Sequence, residues 1–392
     1  MGISATVEQD HLECDMRISR RDFCFSVACA AVAQAAGRGD VNIDSTLFAD
    51  SRQRRVLVTD ERISLLRRRI ARRVEPTYSG WLDLQRYVRE HEDHTASVPA
   101  RWYVPGYYRD SEGHRRAKAG LMEDANTAYA FALYCRLSGQ ERYGRAAADI
   151  ISAWTTGLDS ISYEDDSTLS FSYHFPAMIY AADLIERAGL WSEARDEAFR
   201  GFLRHKALTL STIKARNNWG NWGLLLSVSV AAHVHDAALA GRCVRRWKEF
   251  IGEQIAEDGH LHHEVRRNGG RSGLWYSHFS LMPQTLAAEV LRVNGVDVFD
   301  YVAPNGRSLR SAFVRLADWS RRPETFPYWD GPTERLSGRD YYSYFEILVA
   351  HWPDENAKAL LRRSRPMTAR HSAPLLTLTH GDPLDAAAAT RA

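Results

Sequence analysis

The chain has 392 residues, 45% of them hydrophobic and 26% charged, with 51 Lys plus Arg against 49 Asp plus Glu. That length holds one large domain or two ordinary ones around a sizeable core. The near balance of charge gives no reason to expect a nucleic-acid partner, although it leaves room for local basic clusters.

The N-terminus reads as an export signal. "MRISRRDFCFSVACAAVAQAAG", Met16 to Gly37, carries the pair Arg20 and Arg21, a mildly apolar run and then Ala33-Gln34-Ala35. The run is too short for a membrane helix, and no other run reaches the ~18 apolar residues one needs. The pattern predicts a twin-arginine signal peptide over 1–36, with Met16 a candidate start and Cys29 a weaker lipoprotein alternative; a buried N-terminal helix is the bland alternative. A secreted or periplasmic protein with no membrane segment in its mature form is expected. Cys14, Cys24 and Cys29 fall in or before this signal, so the mature chain keeps only Cys135 and Cys243. These leave one disulfide or two buried thiols open.

A polar linker is expected over 37–56, and helical patterns follow it. Asp60 is the expected cap of "ERISLLRRRIARRV", and "WLDLQRYVREH" comes next. Pro99 to His114 is an aromatic stretch without helical period; its Tyr107 and Tyr108 are candidate sugar-binding rings. Further helices are predicted near 118–137, 141–154, 175–188, 191–208, 222–237, 241–255, 276–293, 309–320, 342–352 and 355–363, from apolar residues at three- and four-residue steps. Strand signals are sparse, "HLHHEV" at 260–265 being the best. The predicted class is all-α: an incomplete (α/α) toroid of antiparallel helical hairpins with few short strands, spanning 57–364. The Ala-, Pro- and Thr-rich tail over 365–392 is expected to be disordered.

The stretch "RNNWGNWG", Arg216 to Gly223, interrupts this pattern. Asn is a good helix cap and Gly eases a turn, which accounts for one amide. It leaves the second amide and two indoles unexplained. Asn217 and Asn218 suit donation to a carboxylate, with Trp219 and Trp222 walling a sugar. In "EVRRNGGRSGLWYSHFSL", Glu264 to Leu281, Arg266, Arg267 and Arg271 flank a Gly-Gly turn ahead of Tyr276 and His278. A basic solvated loop is the plain explanation. The functional one is a guanidinium that stabilises a phenolate and lowers the Tyr276 pKa from its reference of ~10. Lys118 and Arg115 are further candidates to line a cleft. "YWDGPTERLSGRDYYSYFE" offers Trp329, Arg335 and Arg339 as a second rim, against a plain capped helix. The cluster His260, His262, His263 and Glu264 matches no strong zinc spacing, and no metal or cofactor is expected.

Together these parts suit β-elimination on a uronic acid polymer. The C5 hydrogen lies α to a carboxylate. Amide and guanidinium donors stabilise the charge that develops there, and a Tyr takes the proton. "NNWGNW" followed by "EVRR…RSGLWYSHFSL", with "VPGYYRDSEGH…DANTAYAFALYCRLSGQERYGRAAADIISAW" before them, resembles the helical-toroid alginate lyase family of polysaccharide lyases, from about Val104 to Pro353. The resemblance implies Asn218 as carboxylate neutraliser, Tyr276 as base and acid, and Arg267 or Arg271 as supporting cation. The family usually has His after its second Asn; here that position is Trp219. The departure implies that Tyr276 works alone, in syn elimination on β-linked mannuronan or glucuronan. His174, in "SFSYHFPAMIY", is a candidate replacement imidazole, with an ordinary helix-start His as the alternative. A monomer acting on an anionic polysaccharide is expected. Competing functions are a glycoside hydrolase using Glu123 or Asp124 with Asp330, and an inactive carbohydrate-binding protein.

Overall fold

The computed structural model describes residues 55–338, 341–367 and 374–384. The expected signal peptide, most of the expected linker and Arg339 lie outside the described residues. Val56, at the described end of the expected linker, is already core, as are Leu57 and Val58 after it.

The chain then forms fourteen described α-helices: α1 (Asp60–Ala71), α2 (Thr77–Glu90), α3 (Ser111–Ser138), α4 (Glu141–Gly157), α5 (Ser167–His174), α6 (Pro176–Glu186), α7 (Glu193–His205), α8 (Asn218–Val234), α9 (Ala237–Gln254), α10 (Gly273–Val293), α11 (Leu309–Arg321), α12 (Phe345–His351), α13 (Glu355–Ser364) and α14 (Leu376–His380). The described strands are β1 (Arg101–Trp102) and β2 (Ser160–Ile161), a short parallel pair. The expected all-α architecture of paired helices is present. "HLHHEV" is not a strand: it is a run of turns, with a single bridge between Leu261 and Ile255.

Burial sorts the helices into two layers. α6, α8 and α10 are buried on nearly every side, α8 everywhere except at Trp219. α4, α7, α9, α11 and α13 bury one stripe and leave the rest to solvent. That is the pattern of inner and outer helices of an α/α toroid. The inner succession α3, α6, α8, α10, α12 packs neighbour on neighbour. Cys135 and Cys243 are buried free thiols, which settles the alternative left open by their spacing.

Helix starts follow local chemistry. Thr59, not Asp60, caps α1, accepting from the Arg62 N–H at 3.1 Å. Asp60 is unavailable because Arg55, Arg136 and Arg187 hold its carboxylate. Asp110 caps α3 by accepting from the Gly113 N–H at 2.8 Å, so this helix begins seven residues before its apolar period does. The described part of the tail is packed, against the expectation of disorder. Leu375, Leu376 and Leu378 are buried, and α14 packs against α1, α2 and α12. Thr377 donates to Glu346 at 2.7 Å, and Asp382 accepts from Arg69 at 2.7 Å. Three leucines among Ala, Pro and Thr supply enough apolar surface to dock the segment. No helix among the described residues is long and apolar enough to cross a membrane.

Candidate active site

The stretch from Arg216 to Gly223 divides its labour. Asn217 is the cap of α8, its side chain accepting from the Trp219 N–H at 3.1 Å. A Cβ on Gly220 would lie 2.1 Å from the Ala215 carbonyl, and one on Gly223 would lie 2.3 Å from the Ile213 nitrogen. Both glycines therefore allow the preceding segment to press against the helix. Asn221 is buried and donates to Gln254 and Ser280. Trp222 is fully buried against Tyr173 and Phe279, so it belongs to the core and is not a sugar wall. Trp219 stays half-buried at the start of α8.

Asn218 is the second amide, and its partner is Glu264, which the sequence offered only as a member of the zinc-like histidine cluster. Its backbone N–H donates to Glu264 at 2.9 Å, and its Nδ2 lies 2.9 and 3.0 Å from the two Glu264 oxygens. Glu264 is 1% exposed. Arg267 Nε donates to the same carboxylate at 3.3 Å. The Arg267 guanidinium lies over the Tyr276 ring, 5.0 Å from its centroid. The Tyr276 and Tyr108 hydroxyls share a 2.7 Å hydrogen bond. One unbroken chain of contacts thus runs Asn218–Glu264–Arg267–Tyr276–Tyr108, joining the start of α8, the 261–272 turns, the first turn of α10 and the aromatic stretch before α3.

The turns place one of the two arginines against Tyr276. Asn268, Gly269 and Gly270 have φ of 51°, 61° and 94°. A Cβ on Gly270 would meet the Tyr328 carbonyl at 1.6 Å, so both the left-handed backbone and the close approach demand glycine there. This reversal folds Arg267 back onto Tyr276. It sends Arg271 outward, where it is exposed and donates to the Arg335 carbonyl at 3.4 Å. Arg266 is exposed and lies over the Tyr328 ring.

The expected acidification of Tyr276 is not what the environment produces. Burial pushes its pKa well above the usual phenol value, and the hydrogen bond with Tyr108 adds to this; Arg267 pulls the other way and loses. Desolvation of a half-buried phenolate outweighs one cation stacked on the ring face.

Other expected site residues divide between the surface and the core. Tyr108 is 69% exposed, and Tyr107 packs edge-on against it. Lys118 donates to the Tyr173 hydroxyl at 3.0 Å, and Tyr173 abuts Phe279 beside Tyr276. Trp329 is half-buried and Arg335 exposed on the 326–338 segment that packs on Gly270. His174 is buried with its ring edge-on to Tyr173, as the ordinary helix residue rather than a cleft imidazole. Asp124 is sealed from solvent and accepts from His94, the Ser97 N–H and Trp154, which removes it as a hydrolase acid.

His278 is also in the core and not in the cleft. It is fully buried between the Tyr344 hydroxyl and Ser320, each at 2.8 Å. Burial lowers its pKa to about 3, so the folded protein holds it neutral. The unfolded chain protonates it near 6.5, so its contribution is complete above that value. It is lost as pH falls from 6.5 toward 3, by an amount on the order of a few kcal/mol. Denaturant titrations at pH 7 and pH 4.5 are expected to show less acid destabilisation in His278→Asn than in the parent. Equal pH dependence in both would contradict this.

Among the described residues, the His and carboxylate atoms that gather within 4.8 Å of one another are those of Glu186, Asp196 and His233. Arg200 already binds Asp196 at 2.5 Å, so a cation sits among them. The His260–Glu264 cluster forms no such group: His260 bonds Asp258, and Glu264 faces Asn218. A surface hollow lined by Arg62, Glu289, Arg292 and His380 opens at the C-terminal end of α10, the opposite end from Tyr276.

The sequence offered Glu264 only as a metal ligand, and its contact with Asn218 was not foreseen. Its signal was the three-residue step to Arg267, obscured by the histidines before it.

Comparisons with known proteins bear on the family and the fold. The alginate lyase family model matches residues 77–326. The fold is similar to an alginate lyase from Bacteroides ovatus, at 15% identity and a TM-score of 0.65, covering 82% of this chain and 98% of that one. It is similar to an alginate lyase from a Sphingomonas species, at 17% identity and a TM-score of 0.60, covering 69% and 79%. A variant alginate lyase complexed with tetrasaccharide gives 15% identity and a TM-score of 0.68, covering 84% and 98%. No curated protein matches the sequence. At these identities the structural likeness speaks for the fold, and the family match over most of the described chain speaks for descent: the chain belongs to the alginate lyase family, a family of polysaccharide lyases.

Proposed function

We propose that the chain cleaves a β-1,4-linked polyuronate, mannuronan or glucuronan, by syn β-elimination and leaves a 4,5-unsaturated uronate end. The observation that carries this reading is the contact chain from Asn218 through Glu264 and Arg267 to Tyr276. Asn218 and Arg267 converge on Glu264, and their remaining N–H groups are the proposed donors to a uronate carboxylate that gathers charge as its C5 proton leaves. The Tyr276 phenolate takes that proton and returns it to the departing C4 oxygen, so the C5–H and C4–O bonds break and a C4–C5 double bond forms. One oxygen serves both steps only if hydrogen and leaving group share a face, as they do in D-mannuronate and D-glucuronate. Trp219, in the place after the second Asn, offers no imidazole for the opposite face. Exposed Tyr107 and Tyr108, half-buried Trp219 and Trp329, and exposed Arg335 suit stacking and charge contacts along the polymer. Action outside the cytoplasm, after export by the twin-arginine route, completes the reading.

The test is an ultraviolet absorbance screen on polymannuronate, polyguluronate, glucuronan, pectate and hyaluronan. Absorbance growth on the first or third is expected, with polyguluronate and pectate inert. Reducing ends without the chromophore would mark a hydrolase instead.

Two titrations shape the pH response. Tyr276 must lose its proton to act as base, and burial raises its pKa, so kcat is expected to climb with pH through the neutral range and beyond. Burial lowers the Lys118 pKa to about 8, so its charge is present below that pH and lost above it. With an anionic polymer, KM is expected to rise above pH 8. Lys118→Gln is expected to raise KM at pH 7 and to flatten its pH dependence. A variant with the parent's KM profile would remove Lys118 from substrate binding.

A further inference from the structure

We propose that Glu264 is a positioning residue for the elimination, its buried carboxylate fixing the Asn218 amide and the Arg267 guanidinium in one geometry beside Tyr276; this rests on the lyase reading above. An ionised carboxylate accepts hydrogen bonds and donates none, so it captures the nitrogen end of the Asn218 amide and fixes which way that amide is turned. Both carboxylate oxygens lie on one side of Nδ2, at 2.9 and 3.0 Å. Asn218 is itself 1% exposed, so the proposal requires its second N–H to be the one that meets the substrate carboxylate. The same group takes the Asn218 backbone N–H at 2.9 Å and Arg267 Nε at 3.3 Å. Two residues from distant parts of the chain are thereby tied to one anchor.

A carboxylate 1% exposed is costly to bury unless donors surround it. Here the donors are the residues that the reaction needs, together with the positive end of the 17-residue helix α8. Filling space alone requires neither Asn218 nor Arg267 at that spot. The charge has a second consequence. Glu264 opposes the pull of Arg267 on the Tyr276 phenolate, so neutralising it leaves the cation's effect undiluted.

Glu264→Gln keeps the size of the side chain but puts an amide N–H where an acceptor stood. In the full-length enzyme kcat is expected to fall by about 10²-fold, the usual cost of a misplaced catalytic group, with KM changed less than about threefold. The rise of kcat with pH is expected to begin at lower pH, a displacement that a purely structural role would not produce. Because Glu264 acts through Asn218, adding Glu264→Gln to Asn218→Ala should cost little more than Asn218→Ala alone. Should Glu264→Gln fail to fold, as read by circular dichroism, Glu264→Asp carries the test. It keeps the charge but not the reach, so kcat should fall while the pH profile stays in place. An unchanged kcat, a loss confined to KM, or full additivity with Asn218→Ala would overturn the proposal. If the parent enzyme makes no unsaturated product, or Tyr276→Phe keeps its rate, the lyase reading falls and this proposal with it. If the parent is active and Tyr276→Phe dead while Glu264→Gln matches the parent, Glu264 alone is refuted.

Discussion

Tyr276→Phe is expected to abolish turnover, lowering kcat on the order of 10⁴-fold or to background, while polymer binding stays near that of the parent. The substitution deletes one oxygen and little else. The ring keeps its edge-on packing against Trp275 and Phe279 and its place under the Arg267 guanidinium. The fold therefore has no reason to move. What disappears is the atom proposed to accept the C5 proton and return it to the leaving oxygen. In the proposed mechanism both transfers use that atom, so neither half of the reaction would retain its catalyst. The hydrogen bond to Tyr108 goes as well, which frees an exposed ring but removes no buried partner. Absorbance of the unsaturated product reports turnover, and calorimetric titration with a short oligouronate reports binding. Activity within tenfold of the parent would take Tyr276 out of the mechanism.

Much of the fold was legible in sequence because apolar residues at helical spacing mark inner and outer helices alike. Their starts were less legible. α8 begins at Asn218 rather than near Trp222 because Asn217 caps it and two glycines are used for close approach inside the helix, where they look like turn residues. The docked tail was missed because three leucines are too few to show a period, although they suffice to seal a short helix against α2.

Residue type suggested a chemistry but could not say which side of a helix faces the cleft. Trp222, His174 and His278 carry the right functional groups and lie in the core; Tyr276, two positions before His278 on α10, stays half-buried at the contact chain. The choice between Arg267 and Arg271 rested on three consecutive left-handed residues, Asn268 to Gly270. Spacing counted along the chain cannot reveal that reversal. The sign of the Tyr276 shift failed for a related reason: sequence shows the neighbouring charge, whereas burial, which outweighs it, is a property of the packed helices.

Asn218→Ala carries the second large expected effect, a fall in kcat on the order of 10²–10³ with little change in KM. The ground-state uronate already holds a delocalised charge. The extra negative charge appears only as C5 gives up its proton, so a donor aimed at that carboxylate matters most at the transition state. Alanine leaves the cap at Asn217 and the backbone N–H to Glu264 in place, so α8 keeps its start. It removes the amide nitrogen and leaves the buried Glu264 leaning on Arg267, which draws that cation away from the substrate. Arg271→Ala is the matched control: its guanidinium is exposed and turned toward the Arg335 carbonyl, and a change below about threefold is expected. A drop in Asn218→Ala confined to KM, or an Arg271→Ala loss as large as that of Asn218→Ala, would show that the carboxylate is held elsewhere along the cleft.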